Sequence, residues 1–318
     1  MTFTEEVKQE IARALPDRAC DRRAELAGLL AVGGTLRLVG GRPDPFQLEL
    51  TTPSGAVARA AVALLSSGQD LRPEIRVHAP SAPRRRSTYA VLVTDGARNL
   101  GHGLGLVDEA GRPRHGVSHD VLARPCDRVA FVRGAFLAGG TISTPGRPPH
   151  LEVVCHEQEL ATDLASLVRG LAGGASVAPA GARGDPNAGA WRVVLKSGER
   201  IGALLAALGA TGAFLTWDDQ RLRHQLRADA TRLANADSAN LRRSTAAAAT
   251  QVVDVTRTLE RVGWAGLPED LLEVALVRLA NPSASLTELG ELCDPPIGRA
   301  AVLRRLRRVA TLALDAPE

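Results

Sequence analysis

The chain has 318 residues, 45% of them hydrophobic and 23% charged, and carries a net charge of +4 from 39 basic and 35 acidic side chains. That length and apolar content suffice for two or three domains with real cores, which excludes a disordered chain. No stretch approaches the roughly 20 apolar residues of a membrane span, and so small a net charge excludes a uniformly basic surface, so any grip on nucleic acid must come from local segregation of arginine.

The opening segment MTFTEEVKQEIARAL predicts an acidic amphipathic helix with no apolar signal core, which points to a cytoplasmic protein. A duplication follows. CDRRAELAGLLAVGGTLRL (20–38) aligns without a gap with CDRVAFVRGAFLAGGTIST (126–144) at an offset of 106, and eight of the 19 pairs are identical. Solenoid repeats have periods of roughly 20–50 residues, so this spacing predicts two pseudo-symmetric halves of one domain. The first copy leads into FQLELTTP, AVARAAVALL and TYAVLVTDG, the second into PHLEVVCH, ELATDLASLVRGL and AWRVVLKSG. Apolar residues alternate with polar ones in the strand-like runs, so each half reads helix, strand, helix, strand. The opening helix has almost no polar face and should be buried. Its glycines, Gly28 and Gly134 among them, would let the two copies pack closely.

The string LAGLLAVGG (26–34) resembles the LAGLIDADG helix of homing endonucleases. In that family two such helices pair, and each ends in an acid that holds a catalytic divalent cation over DNA. In this register Gly33 and Gly139 take the places of those acids and offer no carboxylate oxygen to a hard cation, so no metal-assisted cleavage is expected. Asp44, beyond Arg42 and Pro43, is the nearest acid and lies in an expected loop.

From Asp218 onward the pattern is helical. One helix is predicted over about 218–234 and a second over about 238–262, ended by Gly263. Pro268 and two acids open a third that stops before Asn281-Pro282. Ser285 and Glu288 have the spacing of a capping box, Asp294-Pro295-Pro296 reads as a turn, and Gly298–Leu314 reads as the last helix. Two short helices about a tight turn, the second strongly basic, form the pattern of a helix-turn-helix reader.

Charge sharpens that reading. Residues 264–298 hold six acids and one base, whereas 299–308 hold five arginines and no acid. At about 100° per residue from Val302, Leu306 and Val309 fall within about 40°, while Arg304 and Arg307 lie at about 200° and 140°. Leu286, Leu289, Val302, Leu306 and Val309 are therefore the expected core. Arg299, Arg304, Arg307 and Arg308 are the candidates to reach guanine edges or phosphates. Arg242 and Arg243, placed at the start of the second predicted helix, would grip phosphate with that helix N-terminus, although Asp237 or Ser238 there reads equally as a simple cap.

RLANADSANLRRS (232–244) and SLTELGELCDPPIGRAAVLRRLRR (285–308) resemble the C-terminal part of the WhiA family of Gram-positive bacteria. Its members join a degenerate LAGLIDADG domain to a helix-turn-helix resembling the promoter-reading domain of sigma factors. Both halves of the chain match in order. Members usually start the recognition helix with serine or threonine and lysine, where this chain has Gly298 and Arg299. The resemblance implies an α+β pseudo-symmetric domain over 1–212 (halves about 1–107 and 113–212), connecting helices over 213–263 and an all-α helix-turn-helix domain over 264–318. It further implies sequence-specific binding of promoter DNA in the nucleoid, control of sporulation septation, cell division and chromosome segregation, and no nuclease activity. RNA polymerase holoenzyme or a co-regulator is the partner expected at the N-terminal domain. The rival readings are a scaffold that docks such a partner with little DNA contact and, remotely, an active homing endonuclease.

No cofactor is implied. Cys20, Cys126, Cys155 and Cys293 show no CxxC or His/Cys spacing, so buried thiols are expected, with neither zinc nor disulfides. The GxGxG within GHGLGLVDEAG (101–111) lacks a nucleotide-binding unit around it and reads as a loop. Arg84-Arg85-Arg86 reads as a solvated loop or a contact to DNA or a partner.

Overall fold

The computed structural model describes residues 1–41, 44–67, 71–80, 87–181 and 189–315, the last three by backbone alone. Arg84, Arg85 and Arg86 lie outside the described residues. Contacts divide the chain into two compact units, Met1–Gln225 and Leu226–Glu318.

The first unit begins with α1 (Phe3–Arg13), closed by a capping box in which Thr2 N donates to Glu5 Oε2 (2.8 Å) and Glu5 N to Thr2 Oγ1 (3.3 Å). The first repeat is α2 (Ala19–Gly33), β1 (Gly34–Leu38), β2 (Phe46–Thr52), α3 (Gly55–Ser66), β3 (Glu74–His78) and β4 (Thr88–Val93), followed by the short α4 (Ala97–Gly103). The second is α5 (Pro125–Gly139), β5 (Gly140–Ile142), β6 (Leu151–Cys155), α6 (Gln158–Ala172), β7 (Ser176–Ala180) and β8 (Ala190–Leu195), followed by α7 (Gly198–Ala207). Each repeat builds an antiparallel sheet, in the orders β1-β2-β4-β3 and β5-β6-β8-β7.

The four strands read from alternation are β2, β4, β6 and β8. The others carry little such signal: β3 is exposed at all five positions and β5 has three residues. They are held by ladder pairing, as in Arg76↔Ala90 and Thr141↔Glu152. The GxGxG is not all loop, since Gly101 and Gly103 belong to α4.

The duplicated helices α2 and α5 pack at the centre of this unit, with Leu29, Phe131, Phe136 and Leu137 buried in one continuous core. Backbone meets backbone at their crossing. A Cβ on Gly28 would lie 2.0 Å from the Phe131 carbonyl oxygen, and one on Gly134 would lie 1.9 Å from that of Glu25. Only glycine permits that approach.

The connecting segment departs from its sequence reading. In place of two helices there is one, α8 (Thr211–Val262), of 52 residues. Its start is fastened within the first unit: the Glu10 carboxylate accepts from Gly212 N (2.6 Å) and Ala213 N (2.9 Å), and Trp217 stacks on Phe3 at 6.1 Å between centroids. The Asn, Asp and Ser residues near 235–244 that suggested a break are absorbed within the helix. Single unfavourable residues cost at most about 0.7 kcal/mol each, and polar side chains bond along its surface, as in Arg243 Nη2 to Asn240 Oδ1 (2.6 Å) and Ser244 Oγ to the Leu241 carbonyl (2.9 Å).

The second unit adds α9 (Glu269–Ala280), α10 (Leu286–Glu291) and α11 (Arg299–Asp315). These pack with the end of α8 around Val255, Leu271, Val274, Leu289, Val302, Leu306 and Val309. Thr258 donates its hydroxyl to the Val309 carbonyl (3.0 Å), tying the end of α8 to α11.

Candidate nucleic-acid interface

The turn before α11 is set by three local devices. The box at α10 closes with Ser285 N to Glu288 Oε2 (2.7 Å) and Glu288 N to Ser285 Oγ (3.3 Å). These bonds hold the Glu288 carboxyl below its ordinary value. Chain reversal brings Ile297 N to 2.9 Å from the Gly290 carbonyl oxygen, so close that a Cβ on Gly290 would lie 2.1 Å from the Ile297 carbonyl oxygen. Arg278 is buried and serves structure: its Nη1 donates to the Ala284 carbonyl (2.7 Å), holding the chain that enters α10.

Alternation of apolar and charged positions then fixes which face α11 turns outward. Val302, Leu306 and Val309 are buried, Leu289 faces them from α10, and Leu286 packs half-buried at the edge of the same core. Arg299, Arg304, Arg307 and Arg308 are exposed, and among the described residues none of the four has an ion-pair partner. Arg305 differs from them. It is half-buried between α11 and α9, 3.4 Å from Asp270 and 3.7 Å from Glu273, so one of the five arginines of this helix is spent inside the unit. The other four present planar guanidinium forks that match guanine O6 and N7 or phosphate oxygens.

Arg242 and Arg243 do not stand at a helix start. They lie mid-way along α8, exposed, and Arg243 donates to Asn240 and to the Ala239 carbonyl. An anion site made by a helix N-terminus is therefore withdrawn there, because the backbone N–H groups are already committed to helix bonds.

In the first unit, Gly33 and Gly139 end α2 and α5. A Cβ at Gly33 would meet Ala138 Cβ at 2.9 Å, and one at Gly139 would meet the Val154 carbonyl at 2.6 Å. Neither position has room for a carboxylate. Asp44 is occupied in its own turn, accepting from Phe46 N at 3.1 Å.

Two cysteine expectations need correction. Cys155 and Cys293 are buried, and burial pushes the Cys155 thiol up to about 12. Cys20 and Cys126 are only half-buried and stand together. Local spacing could not reveal this, since 106 residues separate them.

Comparison with known proteins places these features in company. Residues 19–107 match the model of the WhiA N-terminal LAGLIDADG-like domain, residues 128–227 that of the WhiA LAGLIDADG-like domain, and residues 230–313 that of the WhiA C-terminal HTH domain. A relative from Streptomyces avermitilis, named probable cell division protein WhiA, is 41% identical over 98% of this chain and 92% of its own. Relatives of the same name from Acidothermus cellulolyticus and Mycobacterium bovis are each 38% identical over 98% of this chain, covering 94% and 93% of theirs. A crystal structure of full-length WhiA from Thermatoga maritima, 22% identical, shares the fold over the whole of both chains with a TM-score of 0.56. Among the described residues no helix is long and apolar enough to cross a membrane.

Proposed function

The chain belongs to the WhiA family, and we propose that it is a sequence-specific DNA-binding regulator of cell division that reads promoter DNA through α11 and cuts none. The observation that carries this reading is the outward arginine face of a helix whose inner face is fixed by Val302, Leu306 and Val309. Arg304 and Arg307 are assigned to base edges in the major groove, and Arg299 and Arg308 to flanking phosphates. Arg242 and Arg243 are assigned to phosphate as exposed guanidiniums alone. Control of sporulation septation and chromosome segregation, action at the nucleoid, and a surface on the first unit for RNA polymerase or a co-regulator complete the proposal. The name borne by its relatives, probable cell division protein WhiA, supports the cell-division part of the reading.

A footprint on the protein's own genomic DNA would yield the site, and gel-shift titrations would then compare that site with random duplex. Replacing Arg304 or Arg307 with alanine is expected to cost about 1–3 kcal/mol at the specific site and little on random DNA. Replacing Arg242 and Arg243 should weaken all sequences alike and reduce the salt slope by about one unit per contact. Equal specific binding by wild type and an Arg304/Arg307 double alanine variant would refute the assignment of α11, and absence of any footprint would favour a scaffold.

A further inference from the structure

The duplicated Cys-Asp dipeptides meet at the ends of α2 and α5 opposite to Gly33 and Gly139. The Sγ atoms of Cys20 and Cys126 and one carboxylate oxygen each from Asp21 and Asp127 all lie within 4.8 Å of one another. Within each copy the sulfur stands 3.4 Å (Cys20 to Asp21 Oδ1) or 3.9 Å (Cys126 to Asp127 Oδ1) from its neighbour's carboxylate. Four potential ligand atoms, two from each repeat, thus converge on one point across the pseudo-symmetric seam. We infer that Cys20, Asp21, Cys126 and Asp127 form a site for one thiophilic divalent cation, of the zinc class, that clamps the two halves of the first unit together.

Geometry fits a tetrahedral ion. With bonds of about 2.3 Å to sulfur and about 2.0–2.2 Å to oxygen, tetrahedral ligand atoms stand roughly 3.3–3.8 Å apart. The present spacings reach that with inward shifts of about 1 Å or less. Two thiolates select a soft or borderline cation over magnesium or calcium. The surroundings match as well. Arg124 Nη1 lies 3.6 Å from Cys20 Sγ and Arg18 Nη1 lies 3.8 Å from Cys126 Sγ, so each repeat sends a guanidinium across to the other's sulfur. Two thiolates, two carboxylates, two arginines and a divalent cation sum to zero charge. Asp127 is already oriented, since its Oδ2 accepts from Arg124 N at 2.8 Å. Both cysteines sit in the first turn of a 15-residue helix.

Coordination changes no oxidation state. Each thiol that ligates releases its proton to solvent, so binding frees about two protons per ion and weakens as pH falls.

The full chain, reduced and freed of metal with a chelator, would be titrated with Co²⁺ as the spectroscopic probe and then with Zn²⁺. One cobalt per chain is expected, with a thiolate-to-cobalt absorption band and tetrahedral ligand-field bands, all displaced by zinc. Zinc should also raise the thermal midpoint of the wild type. Cys20→Ser with Cys126→Ser should abolish the band, Asp21→Asn should weaken binding, and Cys155→Ala with Cys293→Ala should leave the band in place. Failure of the folded, reduced wild type to take up cobalt would overturn the inference, as would a band that survives the double serine variant. A chain that refuses metal and whose mass is lower by two hydrogens, mapped to Cys20 and Cys126, would replace it with a disulfide.

Discussion

Arg133 reaches from α5 to place its Nε 3.0 Å from Oε2 of Glu25 on α2, a carboxylate with no exposed surface. The same guanidinium donates to the carbonyls of Ile11 (3.1 Å), Ala14 (2.6 Å) and Leu208, so one side chain gathers α1, α2 and the end of α7 around α5. Among the described residues Glu25 Oε1 has no hydrogen-bond partner.

Burial raises the Glu25 pKa above the ordinary carboxylate value, and Arg133 only partly offsets this. An acid whose folded pKa is raised holds its proton better in the folded state. Its contribution is present below the unfolded value and is lost as pH rises through the folded one. Glu25→Gln should therefore flatten the fall in stability just above the ordinary carboxylate range. Arg133→Ala, which strands a buried carboxylate, should cost about 3–5 kcal/mol at neutral pH. Urea melts at several pH values would test both, and a Glu25→Gln profile parallel to wild type would contradict the first.

The glycine crossing gives a steric prediction. Gly28→Leu or Gly134→Leu forces a side chain into a carbonyl 2 Å away and should cost about 1–3 kcal/mol or more. Gly170, exposed in α6 with nothing near its missing Cβ, is the control. Gly170→Ala should stabilise by about 0.5–1 kcal/mol. Thermal melts that rank the variants the other way would show that α2 and α5 do not pack as described.

Purified protein should leave supercoiled plasmid intact with Mg²⁺ or Mn²⁺. Restoring acids, as in Gly33→Asp with Gly139→Asp, should destabilise the fold and not create a nuclease, because Ala138 and the Val154 carbonyl fill the space. Nicking that persists through further purification and vanishes on mutating one named acid would defeat this.

In α11 neighbouring arginines should separate by role. Arg305→Ala loses the pairs to Asp270 and Glu273, so it should cost about 0.2–1 kcal/mol of stability while leaving site discrimination unchanged. Leu306→Asp buries a charge beside Val302 and Val309 and should unfold the second unit, which circular dichroism would report together with loss of DNA binding. Discrimination lost in Arg305→Ala and kept in Arg304→Ala would reverse the assigned faces.

Much of this was legible in the chain itself because it rests on local rules. The repeat at an offset of 106 disclosed two copies of one unit. Ser285 with Glu288 disclosed the start of α10, and the period of Val302, Leu306 and Val309 disclosed which face of α11 is outward. Periodicity and capping depend on neighbours within a turn or two, so a sequence states them directly. The same locality explains the misreading of α8, where a run of Asn, Asp and Ser resembled a cap and the surrounding helix simply continued.

Sequence alone determined the family resemblance, the duplicated architecture, the absent endonuclease acids and the basic last helix. Tertiary structure decided which arginine is spent on an internal pair, why Gly28 and Gly134 admit no side chain, and that Cys20 and Cys126 stand within ligand distance of each other and of two aspartates. Those facts depend on contacts between residues up to 109 positions apart, as for Glu25 and Gly134. Such contacts follow from how buried helices cross, and no local pattern in the chain encodes them.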